Sequence, residues 1–171
     1  PTAIKEIVIM GGAVAVPGNK NRVAEFNMFV DPEAAEVVFK SSVSKVLIPL
    51  DACNDIALTQ SDIEKLGEGR VALALKGMLQ PYIRNIREFE GASGALMYDP
   101  LAAYYLLNPG AYQLEDMDIV IETKGEHTFG MTVAERRIKA ERMNNVKVAT
   151  RIDGEIFKTR FISRRRVSCA C

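Results

Sequence analysis

Two short apolar runs separated by a helix signal constrain the fold of this chain more than any other feature. The first, Ile7 to Met10, is rich in β-branched residues, and the second extends from Val46 to Leu50. Uninterrupted apolar runs of this length are typical of strands buried in a parallel sheet. Between them, Asp31 to Phe39 reads as a helix with an aspartate N-cap and a proline in its first turn. A strand, a helix and a strand in this order almost always form a right-handed crossover, so we expect two neighbouring parallel strands.

The rest of the chain carries further helix and strand signals. A capping-box pattern at Thr59 to Asp62 predicts one helix start. Other predicted helices cover Val71 to Met78, Tyr82 to Phe89, Asp99 to Leu107 and Glu155 to Ile162, and predicted strands cover Ile119 to Ile121, Met131 to Val133 and Val146 to Ala149. The first part favours an α/β sheet and the later part a mixed edge to that sheet. No repeat or linker is visible, so we expect a single domain over residues 1–171.

Charge and cysteine content limit the classes of function. Lysine and arginine together number 22, as do aspartate and glutamate, so net charge gives no reason to expect nucleic acid or an anionic membrane as a partner. No apolar run approaches the roughly 18 residues of a membrane-spanning helix, and no secretory leader is visible. Three cysteines, Cys53, Cys169 and Cys171, do not make a disulfide framework. We therefore expect a cytoplasmic protein.

The first group of residues that could carry chemistry lies between the first predicted strand and the first predicted helix. It comprises Gly18-Asn19 and Glu25-Phe26-Asn27. In open α/β sheets ligands bind outside the carboxyl ends of the strands, which is where this segment falls. Amide and carboxylate side chains suit the vicinal hydroxyls of a sugar, although the two asparagines could equally cap turns. A phosphate loop is excluded, because no Lys-Ser/Thr pair follows Gly18.

The second group is Tyr98-Asp99-Pro100-Leu101-Ala102. Asp99 stands near a predicted helix start, where an N-cap role alone would explain it. Alternatively its carboxylate could bind a hard metal ion such as calcium. One carboxylate is not a calcium site, since the ion takes roughly six to eight oxygen ligands.

Together these segments resemble the inosine-uridine preferring nucleoside hydrolase family. The resemblance is carried by Ile9-Met10-Gly11-Gly12-Ala13, Pro17-Gly18-Asn19, Ala24-Glu25-Phe26-Asn27, Asp31-Pro32-Glu33-Ala34-Ala35 and Asp99-Pro100-Leu101-Ala102, with weaker matches at Leu50-Asp51, Leu58-Thr59 and Gly130-Met131-Thr132-Val133. It extends from Ile7 to about Phe161. The first signature is long, so a chance match is a poor explanation.

The resemblance implies a Rossmann-like α/β fold with a mostly parallel sheet and flanking helices. It implies hydrolysis of the N-glycosidic bond of ribonucleosides in purine and pyrimidine salvage, a bound calcium ion, and a homo-oligomer when the protein is intact. It implies that Asn19, Glu25 and Asn27 bind ribose hydroxyls. By the same resemblance Met10 lines the sugar pocket and Asp99 is a calcium ligand.

Two departures from the family pattern qualify these expectations. The family opens with an Asp-x-Asp-x-Gly-x-Asp-Asp motif that supplies calcium ligands and the general base, and this sequence lacks it. We therefore expect the chain to be the C-terminal portion of the domain with the N-terminal half missing, and to be inactive in isolation. Tyr98 stands where many members have a histidine that protonates the leaving base. An unperturbed phenol has a pKa of about 10, against about 6.5 for imidazole, so a tyrosine is a weak acid there.

Tyr98 could instead stack on the base or hydrogen-bond to it, and His127 does not replace it by position. An alternative of another class also stays open. The chain could be a remnant that binds a sugar or a partner surface without catalysis.

Overall fold

The computed structural model of the chain describes residues 3–89, 92–141 and 143–163. Its strands are β1 (Glu6–Met10), β2 (Ser44–Ile48), β3 (Ala57–Leu58), β4 (Ala95–Leu96), β5 (Tyr112–Met117), β6 (Ile119–Ile121), β7 (Thr132–Ala134) and β8 (Val146–Ile152). Its helices are α1 (Phe26–Val30), α2 (Pro32–Lys40), α3 (Leu50–Cys53), α4 (Gln60–Glu64), α5 (Arg70–Phe89), α6 (Tyr98–Leu107) and α7 (Gly154–Ser163), with a 3-10 turn at Pro109–Ala111. Cys169 and Cys171 lie outside the described residues.

The chain divides into two compact units, which are described separately. The first comprises Pro1–Cys53 and Tyr98–Ile152, and the second comprises Asn54–Met97 and Asp153–Cys171. The expectation that both belong to one domain stays a prediction.

The main sheet of the first unit has the strand order β1-β2-β8-β5. Strand β1 pairs parallel to β2, with Ile7 opposite Lys45 and Ile9 opposite Leu47, and β2 pairs parallel to β8. Strand β5 pairs antiparallel to β8. The expected parallel neighbours are confirmed, and the sheet is mixed as expected. Its antiparallel edge is β5, however, whereas the predicted strands β6 and β7 pair antiparallel with each other in a separate two-stranded sheet. Strand β5 was not predicted, since most of its side chains are polar and exposed or half-buried.

Strand β2 ends at Ile48, so the expectation that it continues to Leu50 is wrong. Pro49 has no N–H to donate to a neighbouring strand, and proline is confined to sheet edges and strand ends for that reason. Leu50 begins helix α3 instead, and its N–H donates to the Gly12 carbonyl at 2.9 Å. This bond ties the chain beyond β2 to the chain beyond β1.

Helix α2 begins as the sequence predicts. The Asp31 side chain accepts a hydrogen bond from the Ala34 N–H at 2.9 Å, and Pro32 is the first helical residue. Phe39 of this helix is 2% exposed and packs into the core of the first unit. The buried members of that core are Met28, Phe39, Leu47, Ile119, Ile121, Val146 and Val148. Helix α2, which connects β1 to β2, therefore packs on one face of the sheet.

The second unit is built from helices and one short strand pair, β3 with β4. The predicted capping box at the start of α4 is present, with Thr59 and Asp62 bonding each other's backbone N–H. The two predicted segments after it form one helix, α5, which continues through Pro81. Its core groups Ile63, Leu66 and Ala72 with Leu75, Leu79, Ile83 and Ile162. Within the described part of the chain, no helix is both long and apolar enough to cross a membrane.

Candidate active site

Glu25 is a buried carboxylate at the centre of the first predicted group. The residue is 2% exposed and caps the start of helix α1. Its Oε2 accepts hydrogen bonds from the N–H groups of Asn27 at 2.9 Å, Gly12 at 3.0 Å and Met28 at 3.3 Å. Backbone donors to an ionised carboxylate make charge-assisted bonds, which are stronger than neutral ones. No described residue donates to the other oxygen, Oε1.

Asn19 uses only one end of its side-chain amide to hold the fold. The Phe26 N–H donates to Asn19 at 2.9 Å, so the atom facing it is the acceptor Oδ1. This bond accounts for the turn-capping alternative. Among the described residues nothing accepts from Asn19 Nδ2, and the residue is exposed. The capping and the ligand-binding interpretations of Asn19 are therefore compatible.

Asn27 bonds to the rest of the fold through the other end of its side-chain amide, the Nδ2 group. Its Nδ2 donates to the Met10 carbonyl at 3.3 Å and lies 3.4 Å from the Met10 sulfur. The carbonyl end, Oδ1, receives no hydrogen bond from the described residues. Hydrogen bonds thus link Met10, Glu25 and Asn27 at the carboxyl end of β1, and Asn19 is bonded beside them to the Phe26 N–H.

Close backbone approaches shape this group. Gly12 has a φ of +79°, and a Cβ there would lie 2.7 Å from Thr132 Oγ1. A Cβ on Gly18 would lie 2.2 Å from the Ala24 carbonyl oxygen. A side chain at Gly12 would be strained as well as crowded, since glycine adopts the left-handed backbone conformation more readily than other residues do. These contacts explain Gly12 and Gly18 without any phosphate-binding role.

Asp51 holds the loop that follows β1. Its Oδ2 accepts from the Val14 N–H at 2.9 Å and its Oδ1 from the Ala15 N–H at 2.6 Å. Both carboxylate oxygens are therefore committed to the backbone. The sequence signal for this residue was its weak family match together with its position directly after a buried strand.

Asp99 is the second residue of helix α6, which begins at Tyr98. The N-cap alternative for Asp99 does not hold, because the helix starts one residue earlier. The residue is exposed, and it makes no hydrogen bond or ion pair with any residue that the structure describes. Tyr98 is half-buried beside it. His127 is exposed in the connection between β6 and β7.

The pKa of the Cys53 thiol is affected by burial and by the charged side chains around it. Burial raises the pKa of its thiol, and the negative charges of Asp51, Asp99 and Glu25 raise it further, to about 12. The thiol therefore stays protonated near neutral pH and is neither a nucleophile nor a metal ligand there. The shared influence of Glu25 and Asp99 indicates that both lie near Cys53. That Asp99 lines the same pocket as the other three residues stays a prediction.

The described residues do not form a calcium site by themselves. In the ranges that the structure describes, no group of three or more His, Cys, Asp and Glu side chains could hold a metal. The oxygens of Asp51 and Glu25 Oε2 are already engaged, which leaves Asp99 as an uncommitted carboxylate. Calcium takes about six to eight oxygen ligands, so most of them would have to come from elsewhere.

A cavity of about 620 Å³ lies at the other edge of the main sheet. It is lined in part by Lys45, Asn145 and Lys147, which stand at or near the amino-terminal ends of β2 and β8. It contains none of the predicted site residues. We favour the carboxyl edge as the functional site, because ligands of open α/β sheets bind there.

The sheet is mixed and mostly parallel, with polar side chains at the carboxyl ends of its strands. This arrangement is typical of ligand-binding α/β proteins. Within that class, the chain belongs to the inosine-uridine preferring nucleoside hydrolase family, whose model matches residues 1–159. The family expectation from the sequence is thereby confirmed.

Several proteins named ribonucleoside hydrolases are similar to the chain. The pyrimidine-specific ribonucleoside hydrolase RihA of Shewanella woodyi is 40% identical over 136 residues, which are 78% of this chain and 43% of that protein. The protein of the same name in Salmonella gallinarum is 35% identical over 159 residues, or 91% of this chain and 51% of that one. The chain thus spans about half the length of the curated relatives it matches.

Solved structures agree with the fold. The purine-preferring ribonucleoside hydrolase from Gardnerella vaginalis superposes with a TM-score of 0.85 at 26% identity, covering 94% of this chain and 51% of that one. The plant nucleoside hydrolase PpNRh1 superposes with a TM-score of 0.87 at 24% identity, covering 95% of this chain and 54% of that one. The second likeness concerns the fold alone. The expected nucleoside hydrolase fold is confirmed.

Proposed function

We propose that this chain is the ribose-binding portion of a ribonucleoside hydrolase. In the intact enzyme it would serve hydrolysis of the N-glycosidic bond to ribose and free base. The observation that carries the proposal is the way in which three side chains use their polar atoms. Asn19, Glu25 and Asn27 each commit one polar atom to the fold and keep the other uncommitted among the described residues.

The uncommitted atoms have the chemistry that a diol needs. Asn19 Nδ2 is a donor, and Glu25 Oε1 and Asn27 Oδ1 are acceptors. A sugar hydroxyl both donates and accepts, so neighbouring hydroxyls can accept from the donor of this set and donate to its two acceptors. The three N–H groups on Glu25 Oε2 hold that carboxylate before any ligand arrives. A ligand group that is positioned in advance binds at a lower entropy cost.

The same contacts would assist the reaction. During hydrolysis the bonding pair leaves C1′ with the base nitrogen, a water oxygen adds to C1′ and gives up one proton, and the departing base gains one proton. Positive charge develops on the ribosyl ring as the base departs. A fixed anionic carboxylate at the hydroxyls favours that charge, and held hydroxyls keep the ring in one conformation. In this scheme Tyr98 contacts the departing base and Met10 lines the sugar pocket.

Calcium is the ion that the family leads us to expect, and Asp99 would contribute one carboxylate to it. The donor groups of the described residues do not complete such a site by themselves. A role in cytoplasmic nucleoside salvage, and assembly into a homo-oligomer when intact, belong to the same proposal and rest on the family alone.

Pyrimidine ribonucleosides are the substrates we propose first. The relatives at 35–40% identity carry pyrimidine-specific names, whereas the purine-preferring structural neighbour is 26% identical. Uridine is therefore the first substrate to test and inosine the comparison.

The binding proposal is tested by titrating the purified chain with D-ribose and with 2-deoxy-D-ribose while recording NMR spectra. We expect D-ribose to shift the amide signals of Asn19, Glu25 and Asn27, and 2-deoxy-D-ribose to bind more weakly because it lacks one hydroxyl of the diol. Equal binding of the two sugars, or shifts confined to other residues, would contradict the proposed ribose site.

A second candidate function is a sugar-binding module without catalysis. It is favoured by the finding that no cluster of metal-binding carboxylates occurs in the described parts of the chain. The coding sequence immediately upstream separates the two candidates. An in-frame Asp-x-Asp-x-Gly-x-Asp-Asp motif there supports the enzyme, and its absence supports the module.

A further inference from the structure

Asn21 connects the loop of the candidate site to a distant part of the first unit. Its Oδ1 accepts from the N–H groups of Val23 at 2.9 Å and Ala24 at 2.7 Å, which closes the loop on itself. Its Nδ2 donates to the Phe129 carbonyl at 3.3 Å, across 108 positions of sequence. One side chain therefore shapes the loop and anchors it to the chain just before β7.

The chain at Phe129 also supports helix α1. The Phe129 ring meets the Phe29 ring edge to face, with centroids 5.6 Å apart. Gly130 has a φ of +80°, and a Cβ there would lie 2.8 Å from Phe29 Cα. The backbone of the two segments is thus in close contact, which a larger residue at Gly130 would prevent.

Thr132 makes a third contact of this kind. The residue is fully buried, and its Oγ1 lies where a Cβ of Gly12 would be 2.7 Å away. The segment Phe129–Thr132 therefore touches the Asn19 loop through Asn21, helix α1 through Phe29, and the end of β1 through Gly12. These are the three pieces of backbone that carry Asn19, Asn27 and Met10.

We propose that Asn21 and the segment Phe129–Thr132 position the ribose-binding side chains, with Asn21 as the residue that sets the orientation of Asn19. This inference rests on the proposed ribose site. Its physical basis is that, from Gly18 to Ala24, the other backbone hydrogen bonds of the loop are internal: Gly18 to Arg22, and Lys20 and Asn21 to Ala24. Without the Asn21 anchor, the loop keeps its local shape but loses a hydrogen bond to the support beneath the site.

The substitution Asn21→Asp separates the two tasks of the side chain. An aspartate still offers an oxygen to the N–H groups of Val23 and Ala24, but when ionised it has no donor for the Phe129 carbonyl. Asn145→Asp is the control at the other edge of the sheet. Asn145 accepts from the Ile119 N–H and donates to two carbonyls, of Ile119 and of the distant Phe39, so the substitution again keeps the acceptor and removes the donor.

Two measurements on the full chain decide the proposal. Amide hydrogen exchange at Phe26 and Asn27 reports whether the bonds to Asn19 Oδ1 and Glu25 Oε2 still hold, and NMR titration reports the affinity for D-ribose. In Asn21→Asp we expect exchange at Phe26 to be about three- to tenfold faster and ribose affinity to fall by a similar factor, as the loss of one neutral hydrogen bond brings. In Asn145→Asp we expect neither local change, even where global stability falls.

Unchanged exchange at Phe26 in Asn21→Asp, or equal changes in both variants, would overturn the positioning role. If the unaltered chain does not bind D-ribose, the proposed function fails, while the exchange data still decide the positioning of Asn19. Should Asn21→Asp fail to fold, Phe129→Leu is the second variant. It removes the ring contact with Phe29 and keeps the carbonyl, so we expect faster exchange at Asn27, and no change there would count against the proposal.

Discussion

The Gly12 N–H donates to Glu25 Oε2 at 3.0 Å, which joins the end of strand β1 to the start of helix α1. The two residues are 13 positions apart, and the loop between them carries Asn19 and Asn21. Because the same oxygen also accepts from Asn27, one carboxylate holds the strand, the helix and the proposed ribose contacts together.

Replacing this carboxylate by an amide should damage both stability and binding. In Glu25→Gln the three charge-assisted bonds become neutral ones, so we expect the free energy of unfolding to fall by about 1–3 kcal/mol. We expect affinity for D-ribose to fall about ten- to hundredfold for the same reason. Urea denaturation and NMR titration measure the two effects.

Glu36→Gln is the control for that charge change. Glu36 is half-buried and forms an i,i+4 ion pair with the exposed Lys40, and such surface pairs contribute little. A loss of stability equal to that of Glu25→Gln would mean that the bonds of Glu25 are not special.

A methyl group on Gly12 should destabilise the chain. Gly12→Ala adds a Cβ at a φ of +79° and places it 2.7 Å from Thr132 Oγ1. We expect a loss of about 1–3 kcal/mol in the free energy of unfolding. Gly110→Ala is the matched control, since a Cβ there meets no atom within 4 Å. Equal thermal denaturation midpoints for the two variants would contradict the crowding at Gly12.

The hydroxyl of Thr132 should be dispensable for stability. Its Oγ1 is buried and has no hydrogen-bond partner in the described structure. Thr132→Val keeps the shape and removes the unsatisfied group, so we expect unchanged stability or a gain of up to about 1–2 kcal/mol. Thr132→Ala, which removes a methyl group as well, should be destabilised. A clear loss of stability in the valine variant would show that the hydroxyl has a partner.

Alkaline pH should weaken the fold through Cys53. Its pKa is raised from an ordinary value of 9.0 to about 12, first by burial. Above pH 9 the unfolded chain loses this proton and the folded chain keeps it, so the free energy of unfolding falls as pH rises. The slope for one such group is at most about 1.4 kcal/mol per pH unit. The effect is isolated by urea denaturation of the unaltered chain and of Cys53→Ala at pH values from about 8 to about 11, which span the ordinary pKa of a thiol. Parallel pH profiles for the two proteins would refute it.

The chain by itself should not hydrolyse nucleosides at an enzymatic rate. The described residues include no cluster of metal-binding carboxylates, and the sequence lacks the motif that supplies the general base. Losing both typically removes several orders of magnitude in rate. The measurement is release of ribose from uridine and inosine by the purified chain with added calcium, beside an intact pyrimidine-specific relative. Turnover comparable to that relative would require another source of the base.

Several helices and strands of both units could be predicted, because their signals are local. The apolar run of β1, the Asp31 cap of α2 and the Thr59 capping box each depend on residues within a few positions of one another. The glutamate and asparagines of the site were found in the same way, through a continuous motif. Strand β5 was missed because an edge strand with polar side chains has no such apolar pattern.

The amino-acid sequence by itself determined the α/β class, the parallel pairing of β1 with β2, and the residue types gathered at the carboxyl edge of the sheet. Only the tertiary structure decided which polar atom of a side chain is hydrogen-bonded within the fold and which has no partner among the described residues, as in Asn19 and Asn27. It also decided that Asn21 reaches Phe129, 108 positions away. The physical reason is range: periodicity and capping act over one or two turns of chain, whereas these bonds exist only once distant segments have packed together.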